Sequence, residues 1–436
     1  MRKLVTGLVF ILFVGGFGFL WLFSKSPEVQ FQPDVKSVGA ETPVKVRVAS
    51  PHGVRKISAW IEQNGAHYNV FEASVPARRW SFFRDSEAPR EFSFTAGKKN
   101  AAELKEGPAR LVVEAVANDF AAKAVRAAND VQVNLQPPVV SADANQHYVN
   151  QGGSELVAFT VGGSWDEAGV RVGKYTFRSF PLPGKGPNER FSLFAFPWDV
   201  PSDTIPVVYA RNASGTESTA RFWFRLFPKQ FRSRELTLDD RFLSKVTNEL
   251  DPNGTGSLLD RFLKINGEMR QQNNQVLSDL RLKTEPKMLW QGPFFRLGKV
   301  ESFFADSRTY LYNGKKVDQQ MHLGFDLSDV QGAPVRAANS GKVIHAGPLG
   351  IYGNCVVIDH GYGLQSIYGH MRKIEVNIGD SVGKEQVLGR TGDTGLAGGD
   401  HLHYSMQVDG VQVNPLEWWD DHWIKDRILS KLPAGS

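Results

Sequence analysis

His401-Leu402-His403-Tyr404-Ser405-Met406-Gln407-Val408-Asp409-Gly410 decides the reading of this chain. Strand side chains alternate between two faces, so residues at i and i+2 share one. Leu402, Tyr404, Met406 and Val408 alternate with polar or smaller residues, and Asp409-Gly410 is a hairpin-turn signal. The stretch reads as a strand that presents two imidazoles side by side. Such a pair suits a metal ligand next to a general acid or base.

Partners for the pair lie upstream. His322 and Asp326, four residues apart in His322-Leu323-Gly324-Phe325-Asp326, share one face of an extended segment. His370 ends a strand-like run from Leu364 to Tyr368. Six of the ten histidines fall between residues 322 and 403. Metal binding and proton transfer near neutral pH are two reasons for imidazoles to cluster. A catalytic zinc needs three protein ligands and an open position for water. Two imidazoles and a carboxylate leave one formal positive charge, which helps bring the pKa of a bound water toward about 7. Extra imidazoles can deliver the hydroxide and steady a tetrahedral oxyanion. His322, Asp326, His370, His401 and His403 are enough for three ligands and two acid-base groups.

Other metal and nucleophile readings fit less well. A cupin site also uses His-x-His, but it needs a Glu and a further His on later strands. Only Glu417 and His422 follow. No His-Glu-x-x-His helix motif occurs, which argues against a thermolysin-like protease. Cys355, the only cysteine, has no matched base and reads as a small buried hydrophobe. It also excludes an internal disulfide. His345, His360 and His422 read as structural, His360 at a hairpin beside Gly361-Tyr362-Gly363.

His322-x-x-x-Asp326, His370 and His401-x-His403 resemble the motif set of the lysostaphin-type (LytM) zinc metallopeptidases, which cut peptidoglycan cross-links. Pro334 to Ala338, Gly353 to Gly361, Gly389 to Gly392 and Asn414-Pro415 match as well, and the resemblance covers roughly residues 295–420. It implies that His322, Asp326 and His403 bind one Zn2+. It implies that His370 and His401 stand unligated beside the metal, as general base or oxyanion stabiliser. Tyr368, two residues before His370, would share its face and line the site. The implied activity is a zinc endopeptidase that hydrolyses peptide cross-links of peptidoglycan through a zinc-activated water. The other reading is a non-enzymatic or autoinhibited envelope scaffold that recruits or activates another cell-wall hydrolase.

The 436 residues suffice for about three domains, and 41% hydrophobic residues fit a globular protein. A net charge of +5 gives no reason to expect nucleic acid as a partner. Arg2 and Lys3 precede a charge-free run from Leu4 to Phe23. As a helix that run is about 30 Å long, enough to cross a bilayer core. It exceeds a signal-peptide core of about 7–15 residues, and no small-x-small cleavage site follows. No lipobox cysteine is present. The expectation is a single-pass signal anchor over 1–26 in the inner membrane, with the N-terminus in the cytoplasm and the catalytic part in the periplasm.

The fold class expected is mostly β. After the anchor come an immunoglobulin-like β domain over 27–136, a second β module over 137–232, a helical connector over 233–290, a peptidase domain over 291–425 and a tail over 426–436. Short alternating strands such as Val44-Lys45-Val46-Arg47-Val48 support the first module, and Pro137-Pro138 marks its end. The β modules could bind envelope partners. Trp165, Trp198 and Trp223 read as core. From Leu236 the apolar spacing turns helical, with one helix near Leu238–Val246 and a longer one near Ser257–Arg281. This pair either packs over the peptidase groove as a gate or serves as a spacer. Residues 324–410 hold 17 of the 42 glycines. That density suits tight hairpins around an antiparallel sheet with an open groove, where an extended peptide could lie.

Overall fold

Valines at 44, 46 and 48 alternate with Lys45 and Arg47, and the strand Thr42–Ala49 buries the valines while exposing the cations. The computed structural model describes residues 14–78 and 86–433. The chain divides into two compact units, the first of them Met1–Val139 with Gly162–Glu167 and Ala210–Ser218. There, a three-stranded sheet (Glu28–Phe31, Thr42–Ala49, Arg90–Ala96) and a five-stranded sheet centred on Gly107–Ala117 share one core. Val46, Ile57, Ile61, Leu111 and Val113 fill it, each burial worth about 1.5–3 kcal/mol. Residues 14–23 are helical, whereas residues 4–13 of the expected anchor lie outside the described residues. Among the described residues, no helix is long and apolar enough to cross a membrane.

The second unit gathers Val140–Val161, Ala168–Tyr209 and Thr219–Ser436. Most of the second β stretch therefore belongs to the same compact body as the C-terminal region. Its strand Ser154–Gly162 pairs antiparallel with Glu189–Ala195. Trp223 departs from the core expectation: it is 47% exposed, with its ring edge-on to Tyr148. Phe222, one residue earlier, is the buried one.

The connector begins differently from the helical pattern expected from Leu236. Ser233–Leu238 is a strand, β1, which runs parallel to Asp306–Tyr312, β2. Leu238 has helical spacing to Phe242, but Leu236 and Leu238 alternate with a period of two, and pairing with β2 makes the stretch a strand. Helix α1 (Asp240–Leu250) starts only after Asp239, whose carboxylate accepts from the Phe242 N–H at 2.7 Å. The second helical segment opens on the Ser257 cap and runs through α2 (Leu258–Lys264), a π-helical stretch at Ile265–Met269, and α3 (Arg270–Asp279).

Strand β3 (Lys315–His322) completes a three-stranded sheet, pairing antiparallel with β2. The larger sheet carries β4 (Phe325–Ser328), β5 (Gly341–Pro348), β6 (Asn354–Gly361), β7 (Leu364–Met371) and β8 (Leu402–Val408). Its order is Lys299–Ser302, β4, β8, β7, β6, β5, Ser381–Val382, with Val411–Val413 hairpinned onto β8. Strands β7 and β8 are buried along their whole length. Phe262, Ile265, Leu277 and Leu280 cover one face, against Val357 and Ile367. Gln365 and Gln407 donate to the Leu280 and Leu277 carbonyls, so buried polar side chains help seat the helices. Cys355 lies in this core, where burial pushes its thiol up to about 12 and leaves it unreactive.

Candidate metal centre

The central strand β8 brings the candidate residues together. Asp326 of β4 pairs with His403 on one side, and Gly369 of β7 pairs with His403 on the other. His322 closes β3 and reaches the same place. Two glycines permit this approach. A Cβ on Gly324 would stand 2.6 Å from His403 Cε1, and one on Gly369 would stand 3.4 Å from His403 Cβ.

His322 Nε2 lies 3.0 Å from Asp326 Oδ1 and 3.1 Å from His403 Nδ1. His403 Nδ1 lies 3.3 Å from Asp326 Oδ1. Ligand atoms about 2.0–2.1 Å from a tetrahedral zinc are spaced close to these values. His322 Nδ1 bonds to the Phe303 carbonyl at 3.0 Å. A carbonyl only accepts, so Nδ1 carries the proton and Nε2 offers its lone pair. Three acceptor atoms thus converge in a place where His322 and His403 are each 5% exposed. A divalent cation satisfies such a set, and the residues fit zinc.

His370 and His401 flank the three. Their ring centroids are 4.8 Å apart, and His370 lies 5.8 Å from the His403 ring. Each is locked through Nδ1 to a carbonyl at 2.8 Å: Thr394 for His370, Gly399 for His401. Both therefore present Nε2 lone pairs. His401 Nε2 is 3.4 Å from Asp326 Oδ1. His370 adopts φ +62°, a left-handed conformation that costs a non-glycine residue about 1 kcal/mol. That turn separates it from Tyr368. Contrary to the expectation, Tyr368 does not line the site: it is fully buried, with its hydroxyl bonded to the Ala338 N–H and to Ser366. The shared-face argument needs an unbroken strand, and His370 breaks it.

Burial alone would raise the Asp326 carboxyl, but His322, helped by His401 and His403, outweighs it and holds the group well below the usual carboxylate range. Burial pushes His370 well below the ordinary imidazole value, and His401 and His403 add to the effect. Burial likewise takes His403 down to about 4. His401 goes the other way: burial lowers it, but Asp326 wins and raises it.

The site opens into a cavity of about 390 Å3. Leu236, Phe242 and Arg270 line it from the connector, so that segment forms a wall of the cavity. Lys245 of α1 donates to the Asp393 carboxylate at 2.9 Å and the Ala397 carbonyl at 3.0 Å, and Glu249 accepts from the Gly395 N–H. Arg308 was absent from the expected set. Its guanidinium donates to Asp326 Oδ2. Nothing local in sequence links residues 308 and 326, since strand pairing alone brings them together. His345 and His360 stand apart from the site; His360 bonds Ser340 O at 2.8 Å and Ser366 Oγ at 2.7 Å within the core.

Comparison with known proteins agrees with the geometry. The profile of Peptidase family M23 matches residues 320–415. The chain is 39% identical over 97 residues to the DD-carboxypeptidase/endopeptidase Mpg of Neisseria meningitidis, covering 22% of this chain and 22% of that protein. It is 38% identical over 96 residues to the peptidoglycan DD-endopeptidase ShyA of Vibrio cholerae, again 22% of each. Among solved structures, the catalytic domain of lysostaphin from Staphylococcus simulans is 25% identical, with 32% of this chain and 94% of that one covered and a TM-score of 0.21. The chain spans about a fifth of the length of the curated relatives it matches. Residues 320–415, which hold all five converging side chains, are a domain of peptidase family M23.

Proposed function

We propose that this domain is a zinc-dependent endopeptidase acting on the peptide cross-links of peptidoglycan. One observation carries the reading: three convergent acceptor atoms stand beside two further imidazoles, each tied at Nδ1 to a carbonyl so that Nε2 is left free. His322 Nε2, Asp326 Oδ1 and His403 Nδ1 would hold the metal. Zinc, when bound, supplies a Lewis acid that polarises a carbonyl and acidifies water. The chain's own residues do the rest. Of His370 and His401, one accepts the proton of the attacking water at Nε2, and the other, once protonated at Nε2, donates to the developing oxyanion. The cavity wall of Leu236 and Phe242 limits water around the reacting amide. Peptidoglycan as substrate is supported by the names of similar proteins and by the apolar N-terminal run, which would anchor the chain in the inner membrane with the domain in the periplasm.

The test is incubation of zinc-loaded protein with purified sacculi, with and without chelator, and mass spectrometry of the released peptides. Chelator-sensitive products support the reading; none at any pH near neutrality sinks it. A second reading, an autoinhibited or non-enzymatic scaffold, draws on the connector wall and on the hold of Arg308 on Asp326. A non-enzymatic scaffold needs no zinc, so stoichiometric zinc lost in His322→Ala or Asp326→Ala counts against it, and an autoinhibited enzyme would show unequal activity of full-length and truncated protein.

A further inference from the structure

Arg234 of β1 and Arg308 of β2 are direct register partners. Opposed side chains on neighbouring strands stand about 5 Å apart at Cβ, and like charges there are destabilising. The next pairs along the same face, Leu236 with Tyr310 and Leu238 with Tyr312, are apolar and aromatic. The fold thus has no need of two cations at this one position. Both arginines line the cavity that holds the metal ligands.

Their fixed contacts leave donors over. Arg234 lies 3.4 Å from Asp306 through Nε and donates to the Glu301 carbonyl through Nη2. Arg308 spends Nη2 on Asp326. Among the described residues, Nη1 of each has no hydrogen-bond partner. Arg270 lines the same cavity and is bonded only to Asn266. The cavity's acidic lining is Asp239, which caps α1, and Asp326 itself. With Asp306, which pairs with Arg234, carboxylates and arginines balance, so what the arginines offer a ligand is their unspent N–H donors.

Register gives the backbone distance to the chemistry, and the Arg308 guanidinium reaches back from there to Asp326. Asp306 pairs with His322, and Arg308 is two residues further along β2. Two residues of strand are about 7 Å, or about two steps of an extended peptide.

We propose that Arg234 and Arg308, on strands that precede the M23 domain, form a carboxylate subsite in its cavity, taking a free carboxylate that the substrate peptide carries within about two residues of the bond to be cut. Guanidinium forks suit a planar carboxylate in a bidentate arrangement. The subsite rests on the peptidase reading for its substrate.

The probes are N-acetyl-tri-D-alanine and its C-terminal amide, titrated calorimetrically into the zinc-loaded full-length protein. The native protein should bind the free acid about tenfold more tightly than the amide, the size expected of charged hydrogen bonds. In Arg234→Gln the ratio should fall to near one with zinc content unchanged. Arg234→Lys, which keeps the charge and loses the fork, should fall between. Equal or undetectable binding of the two peptides by native protein overturns the subsite. So does a preference that persists in both variants, because the metal would then supply it. Hydrolysis of sacculi is scored separately: a carboxylate preference without cleavage removes the peptidase reading and leaves the subsite, and cleavage without a preference does the reverse.

Discussion

His403 and His401 sit two residues apart and face the same cavity, yet their surroundings divide their work. His403 Nδ1 stands in the triangle with His322 and Asp326, whereas His401 is tied to Gly399 and presents Nε2 alongside. His403→Ala should lose zinc. His401→Ala should keep most of it and lose about 10²–10⁴ in turnover, the usual reach of acid-base catalysis. Metal analysis alongside peptide release checks both, and equal zinc loss in the two variants would show the division to be wrong. Gly324→Ala tests the packing behind the ligand. Its Cβ would press to 2.6 Å from the His403 ring, so zinc affinity should fall about 10–100-fold, as for other changes that tilt a ligand. These five side chains were legible in sequence as a histidine-rich motif set shared with a known family; strand alternation alone would not have joined them, because Leu323 and Gly324 break the extended run between His322 and Asp326. Arg308 was not, because its contact with Asp326 depends on which strands pair.

At the scale of elements, the helical hairpin left two readings open, gate or spacer, and its packing suggests a third role. Helix α1 grips the loop between β7 and β8 through Lys245 and Glu249. That loop supplies the Thr394 and Gly399 carbonyls that orient His370 and His401. The Lys245–Asp393 pair is partly exposed, at 34% and 52%, and alone is worth little. Lost together with the Glu249 contact, it should free the loop. Lys245→Ala combined with Glu249→Ala should therefore lower kcat about tenfold with zinc unchanged. An autoinhibitory wall predicts the opposite, a rise in rate, so the sign of the change separates the two. The helices themselves were readable from apolar spacing; the Ser257 cap is seen only in the structure. The strand Ser233–Leu238 was not, because Leu238 also fits the helical spacing of the residues that follow it and the partner strand, at Asp306–Tyr312, is not visible locally. Tyr368 misled for a related reason: alternation was carried across a residue with positive φ, which sequence does not reveal for histidine.

At the scale of the whole chain, the second β stretch read as a free-standing module, whereas most of it belongs to the peptidase's compact unit. No local pattern announces this, since the link is made by residues more than 200 positions apart. Arg178 bonds Asp409, and Lys431 forms a buried pair with Glu155. Glu417 accepts from Asn150 and from the Ser154 N–H, both at 2.8 Å, against Gly153, where no side chain would fit. Burial pushes the Glu417 carboxyl up to about 7, and Glu155 adds to the rise while Asn150 and Ser154 oppose it. A raised carboxyl means that the folded chain holds a proton the unfolded chain has released. Its contribution is thus fully present below about pH 4.5 and is lost as the pH climbs through about 7. The span corresponds to roughly 3 kcal/mol at most. Glu417→Gln keeps the shape and removes the titration. The melting temperature of native protein should fall by several degrees more between pH 5 and 8 than that of the variant, measured by thermal denaturation in matched buffers. Parallel curves for the two proteins would mean that Glu417 is already ionised in the fold, and that Asn150 and Ser154 outweigh its burial.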